Sequence, residues 1–141
     1  MTQPSTATPR RALAYFWYIW GLSWCYWGIR TASQPFFRAG IRSFDRALRL
    51  WPGFALAHYR RGLILGRELS EHHAGIADLT RAIAIDPEWA EPYLQRGLFE
   101  RFHGDQRAAL ADLRRYLELA SSAAPWRAEA ERQIAAIERE I

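Results

Sequence analysis

The chain has no Lys, no Asn and no Val, and only one Cys and one Met in 141 residues. All 19 of its basic residues are therefore Arg. Without Val, and with only five Thr, it lacks the β-branched enrichment that marks strands, while Ala (23) and Leu (15) dominate, which predicts a helical protein. Absence of Lys excludes a phosphate-loop lysine and Schiff-base chemistry. A lone Cys excludes a disulfide framework and a multi-thiolate zinc site. The length corresponds to one domain with a real core.

Charge divides along the chain. Residues 1–67 carry ten Arg against one acid, Asp45, a net +9, whereas residues 68–141 carry nine Arg against fourteen acids, a net −5. The basic half calls for an anionic neighbour such as a membrane surface, an acidic protein or nucleic acid.

Residues 1–10 read as a disordered Ser/Thr/Pro-rich tail closed by Arg10. From Ala12 to Ile29 no charge occurs, and eight of these residues are aromatic, Trp17, Tyr18 and Trp20 among them. As one helix, expected over 11–32, this stretch is about 27 Å long, just under a hydrocarbon core of about 30 Å. Three placements are open for it: across a bilayer, in the headgroup interface that Trp and Tyr prefer, or against protein. Arg10-Arg11 resembles a twin-arginine signal but no small-residue cleavage site follows, and Leu22-Ser23-Trp24-Cys25 departs from a lipobox at Trp24. Arg38, Arg42, Arg46 and Arg49 share one helical face opposite Phe37, Ile41, Phe44 and Leu48, a basic amphipathic helix. Trp17, Tyr18, Trp20 and these four Arg are the candidate membrane contacts, and a solvated basic face over a core-facing side is the competing reading.

An internal period organises the rest. Arg61-Gly62-Leu63 recurs as Arg96-Gly97-Leu98 at a spacing of 35, and Ala77-Asp78-Leu79 as Ala111-Asp112-Leu113 at a spacing of 34. Gly28 lies 34 before Gly62, and Trp51-Pro52 lies 35 before Asp86-Pro87. The units carry Trp24, Gly28, Gly40-x3-Phe44, Ala47 and Pro52, then Gly62, Gly75-x3-Leu79, Ala82 and Pro87, then Tyr93, Gly97, Ala109-x3-Leu113 and Pro125. This pattern resembles the tetratricopeptide repeat over residues 21–125, with departures at Thr31, Glu100, Arg61, Arg96 and Tyr116.

The resemblance implies an all-α fold, a right-handed solenoid of helix-turn-helix repeats with about seven helices, in a small protein of bacterial type. Expected repeats are 21–54, 55–89 and 90–125, with a capping helix in 126–141. Pro, Gly and Asp positions put the helices at about 11–32, 36–50, 54–67, 71–85, 89–102, 106–120 and 126–140. The last carries Trp126, Ala130, Ile134, Ile137 and Ile141 on one stripe.

By the same resemblance the first helices of each pair line a concave partner groove. The positions are Leu22, Cys25, Ile29, Leu56, Tyr59, Leu63, Glu91, Leu94, Leu98 and Phe102, with Arg60, Arg67 and Arg101 near the edges. Chaperone-binding members grip a terminal carboxylate with Lys and Asn at positions held here by Cys25, Ile29, Arg60, Glu91 and Gln95, so that clamp is absent. The groove is expected to take an apolar helix or extended segment of an unidentified protein partner, or to be partly filled by the chain's own first helix.

No catalytic residues, metal or cofactor are expected. His72-His73 are adjacent in a short connection and point apart, unlike an i, i+4 metal pair. Nucleic acid is disfavoured because the aromatics are contiguous and not interleaved with Arg. The leading expectation is a non-catalytic interaction scaffold at the inner face of the cytoplasmic membrane, the side given by the positive-inside rule if residues 12–29 span. Alternatives are a soluble adaptor with the aromatic helix in its core, or an accessory subunit of a membrane complex. The sequence sets no oligomeric state.

Overall fold

Seven α-helices in succession, with no strand, make up the described residues 7–141 of the computed structural model. They are α1 (Ala7–Thr31), α2 (Gln34–Leu50), α3 (Ala55–Leu63, prolonged by a π-helical turn Ile64–Glu68), α4 (His72–Ile85), α5 (Ala90–His103), α6 (Gln106–Leu119) and α7 (Arg127–Glu140). Of the expected tail, residues 1–6 lie outside the described residues. Residues 7–10 are already helical, because Pro9 falls in the first turn, where its missing N–H costs nothing.

Local chemistry accounts for the boundaries. Pro35 opens α2, and the Asp105 carboxylate caps α6 by accepting from the Arg107 N–H at 2.8 Å. α1 ends with Ala32 at φ 52°, which lets the Ser33 N–H reach the Gly28 carbonyl at 3.1 Å. Ser70, at φ 55°, does the same after the π turn, where the Glu71 N–H meets the Leu65 carbonyl at 2.8 Å. A Cβ in the left-handed region costs about 1 kcal/mol. Ala32→Gly is therefore expected to raise unfolding free energy by about 1 kcal/mol in urea titration with an unchanged slope; equal or lower stability would count against strain at this cap.

The helices pair as α1–α2, α3–α4 and α5–α6, and α7 closes the row against α6. Each pair crosses closely at small residues. A Cβ on Gly75 would stand 2.9 Å from the Gly62 carbonyl oxygen and 3.1 Å from the Gly66 nitrogen, so α4 meets α3 and its π turn backbone to backbone. In the second and third pairs the recurrent Arg and Asp join across the seam. Arg61 donates from Nε and Nη2 to Asp78, each at 2.7 Å, and Arg96 does the same to Asp112, again at 2.7 Å. The first pair has Trp27 and Ser43 at those positions, and Ser43 spends its hydroxyl on the Ala39 carbonyl at 3.1 Å.

Two separate buried clusters result, one formed by α1, α2 and α3 with its π turn, the other by α5, α6 and α7. α4 lies between them, with Leu79 and Ala82 fully buried. α1 buries Ala14, Tyr18 and Cys25 along one seam and packs against α2 as the first helix of the first pair. Among the described residues no helix is long and apolar enough to cross a membrane. The spanning placement of 12–29 is therefore not supported: its 18 uncharged residues are long enough, but their Trp and Tyr make them too polar for a bilayer centre. The positive-inside argument for the cytoplasmic face falls with it. On α7, Ala130 and Ile137 are fully buried, but Trp126 and Ile141 at the stripe's ends are exposed, since they lie at or beyond the helix ends.

Candidate partner-binding groove

α1 and α3 stand side by side and leave between them a cavity of about 260 Å³, open along one side. Leu22, Cys25, Tyr26 and Ile29 contribute from α1, Phe44 from the floor, Arg60 and Leu63 from α3, and Ile64, Arg67 and Glu68 from the π turn. The spacing of Leu22, Cys25, Ile29 on one helix and Arg60, Leu63, Arg67 on the other brings all six of these expected residues to one site. Tyr26, Ile64 and Glu68 were not foreseen. Tyr26 sits one turn before Ile29 and could have been found by spacing. Ile64 and Glu68 line the groove from the π-helical turn, which the spacing of residues does not announce.

The groove is apolar below and charged at its lip. The Arg67 guanidinium is held by the Gln95 side-chain oxygen at 2.7 Å, which ties the π turn to α5, while Arg60 is exposed and extends over Tyr59 at 5.9 Å. Burial pushes the Cys25 thiol up to about 12, so it is a neutral apolar group at physiological pH and no nucleophile.

The remaining expected groove residues lie outside this cavity. Leu94 is 1 % exposed and belongs to the second core, which corrects its assignment: the seam with α6 claims it. Leu56 and Leu98 are half-buried against the two cores, and Tyr59 packs on Trp89 with ring centroids 4.6 Å apart. Arg101 is turned to α7, bonding the Gln133 side chain and, at 3.3 Å, Glu140; the capping helix takes it from the groove rim. Phe102 is exposed near the end of α5.

The expected membrane contacts also divide. Tyr18 is 5 % exposed, packed between Phe44 (5.9 Å) and Phe54 (5.1 Å), and cannot reach a lipid. α1 is apolar on every side, so periodicity could not orient it. Trp17 is half-buried beneath the Arg46 guanidinium at 4.4 Å. Trp20, Arg42 and Arg49 are exposed, and Arg38 pairs with Glu71 at 2.7 Å. Elsewhere, His72 and His103 stack ring on ring, and among the described residues no group of three metal-ligating side chains forms.

No family model matches the chain. Its fold does match solved structures. The first tetratricopeptide-repeat domain of Spaghetti (RPAP3), bound to the HSP90 peptide SRMEEVD, superposes with a TM-score of 0.78 at 18 % identity over 92 % of this chain and 94 % of that one. The tetratricopeptide-repeat domain of Arabidopsis OM64 gives 0.77 at 20 % identity over 94 % and 99 %. The Yersinia enterocolitica type III secretion chaperone SycD, with a peptide of the translocator YopD, gives 0.68 at 12 % identity over 98 % and 96 %. The chain thus has the all-helical tetratricopeptide-repeat fold expected from its 34-residue period.

Proposed function

We propose that this tetratricopeptide-repeat solenoid is a non-catalytic scaffold whose groove between α1 and α3 takes an apolar segment of a protein partner. One observation carries the reading: a 260 Å³ cavity floored by Leu22, Ile29, Leu63 and Ile64, with Arg60 and Arg67 at its lip. An amphipathic helix or extended segment would lay its apolar side chains on that floor and direct a carboxylate to Arg60. The structurally similar Spaghetti domain and SycD hold peptides, which supports a peptide-sized occupant. The occupant differs in kind, because Cys25, Ile29 and buried Gln95 occupy the positions where the resemblance would require a carboxylate clamp.

Peptides selected from a random display library on the full chain are expected to be apolar and helical, and to lose at least about tenfold affinity, roughly 1.4 kcal/mol, against Ile29→Asp. Ile29 is exposed, so its replacement leaves the core intact. Selected peptides that bind wild type and variant equally would place the docking surface elsewhere.

The second part of the reading concerns where the scaffold sits. Eight large apolar side chains of α1, from Leu13 to Ile29, are exposed, six of them outside the groove, in a half of the chain that carries +9. That combination supports peripheral attachment to an anionic bilayer surface, with α1 lying along the interface.

A further inference from the structure

On the flank of α1 opposite the groove, a second cavity of about 170 Å³ opens between α1 and α2. Its walls are three indoles, Trp17, Trp20 and Trp24, and two guanidinium groups, Arg42 and Arg46; Ala39 and Ser43 complete the lining. Trp17, Trp20 and Trp24 share one stripe of α1, and Arg42 and Arg46 are one turn apart on α2. Ala39 keeps the space open, being too short to fill it.

The charges here are unbalanced. Arg46 lies over the Trp17 ring at 4.4 Å, yet among the described residues neither Arg42 nor Arg46 has a carboxylate within 4.0 Å. Asp45, the single acid of the first 67 residues, accepts from Arg61 at 2.7 Å. Two like charges at i, i+4 repel each other, and an anion between them would relieve that repulsion.

The walls specify which anion. A cavity of this size admits one phosphate-sized headgroup, and indoles are the side chains that prefer the boundary between headgroups and acyl chains. From the cavity mouth an exposed apolar stripe, Phe16, Trp20 and Trp27, continues along α1 and would lie against acyl chain. A free phosphate would leave that stripe in water. A second copy of the chain docked through the same face would bring a second cluster of the same positive sign.

We propose that Trp17, Trp20, Trp24, Arg42 and Arg46 form a seat for the phosphate headgroup of an anionic phospholipid. The proposal rests on the bilayer-surface reading above and adds to it a defined site. Diffuse attraction would draw equally on every exposed Arg; a seat draws on two.

The test is sedimentation of the full-length protein with vesicles of phosphatidylcholine and phosphatidylglycerol, roughly two to one, against phosphatidylcholine alone, with indole fluorescence as a second readout. Wild type is expected to bind the mixed vesicles. Arg42→Gln/Arg46→Gln should weaken binding at least about tenfold more than Arg30→Gln/Arg49→Gln, which removes the same charge from the same helix pair. Ala39→Leu, which fills the cavity and leaves the charge unchanged, should weaken binding in the same sense, and millimolar inorganic phosphate should not displace the vesicles. Equal weakening by the two double variants would overturn the seat and leave bilayer attachment standing. Displacement by inorganic phosphate would overturn the lipid as its occupant. Failure of wild type to bind either vesicle would overturn attachment and the seat together.

Discussion

Replacing Asp78 by Ala is expected to cost the fold about 4 kcal/mol, the largest effect of any single charge in the chain. The carboxylate is 1 % exposed and accepts from Arg61 twice at 2.7 Å, from Arg81 at 3.1 Å and from His58 at 3.2 Å, while the other nitrogen of His58 meets the Pro52 carbonyl at 2.9 Å. Truncation leaves part-buried Arg61 with Asp45 alone and breaks a network that joins α3, α4 and the turn before α3. A domain of this size holds about 5–15 kcal/mol in total, so the melting temperature should fall by roughly 12 °C. Asp112 supplies an internal comparison: it accepts from Arg96 alone, so Asp112→Ala should cost less. Thermal unfolding followed by circular dichroism measures both. A loss at Asp78 of under about 1 kcal/mol would mean that desolvation cancels the whole network.

The same carboxylate sets an acid limit. Burial pushes the Asp78 carboxyl upward, but hydrogen bonds and charge from Arg61 and His58 outweigh it, and the net shift is below the ordinary carboxylate range. A depressed folded-state value stabilises the protein above the unfolded value, near pH 3.9, and the contribution is lost as pH falls through the folded one. Stability of the wild type should therefore drop more steeply below about pH 4 than that of Asp78→Asn, which has no such proton to take up.

Gly75→Ala is expected to cost about 3 kcal/mol, for a reason unrelated to charge. Its new Cβ would meet the Gly62 carbonyl oxygen at 2.9 Å and the Gly66 nitrogen and Cα at 3.1 and 3.2 Å. All three are backbone atoms, so no rotamer change relieves them and α3 and α4 must separate. Gly53→Ala is the matched control, since its nearest neighbour would be the Trp51 indole nitrogen at 3.4 Å, an ordinary contact. Urea titration should show a drop in midpoint for Gly75→Ala and little change for Gly53→Ala. A midpoint for Gly75→Ala within about 0.5 kcal/mol of wild type would show that the pair has slack at its crossing.

The architecture was legible because its signals are local and repeated. Gly62, Gly75 and Gly97 mark the crossings, Pro52, Pro87 and Asp105 the turns, and the expected helix ends fall within a few residues of those in the structure apart from the start of α1. Part of the groove was legible through the resemblance, since Leu22, Cys25 and Ile29 are carried over from the repeat's register. What failed depended on distance in space. Arg61 and Arg96 register as a repeat echo and as departures from a Leu-rich pattern, and neither reading names their partners. Asp78 and Asp112 echo one another at nearly the same interval, and that coincidence was the trace of the clamps. Tyr18 was misassigned because an all-apolar helix carries no preferred face. Arg101 was assigned to the rim because nothing local reveals that Gln133, on another helix, claims it.

The separation of the buried residues into two clusters bears on how the molecule would respond to an occupant. A segment lodged between α1 and α3 touches only the first cluster. Its binding energy would be delivered to the amino-terminal half, and the carboxy-terminal helices would share in it through α4, the Tyr59–Trp89 contact and the Arg67–Gln95 bond. Occupancy would therefore stiffen the chain unevenly, turning a row of similar repeats into a firm clasp with a softer, acidic trailing end that stays free for other contacts.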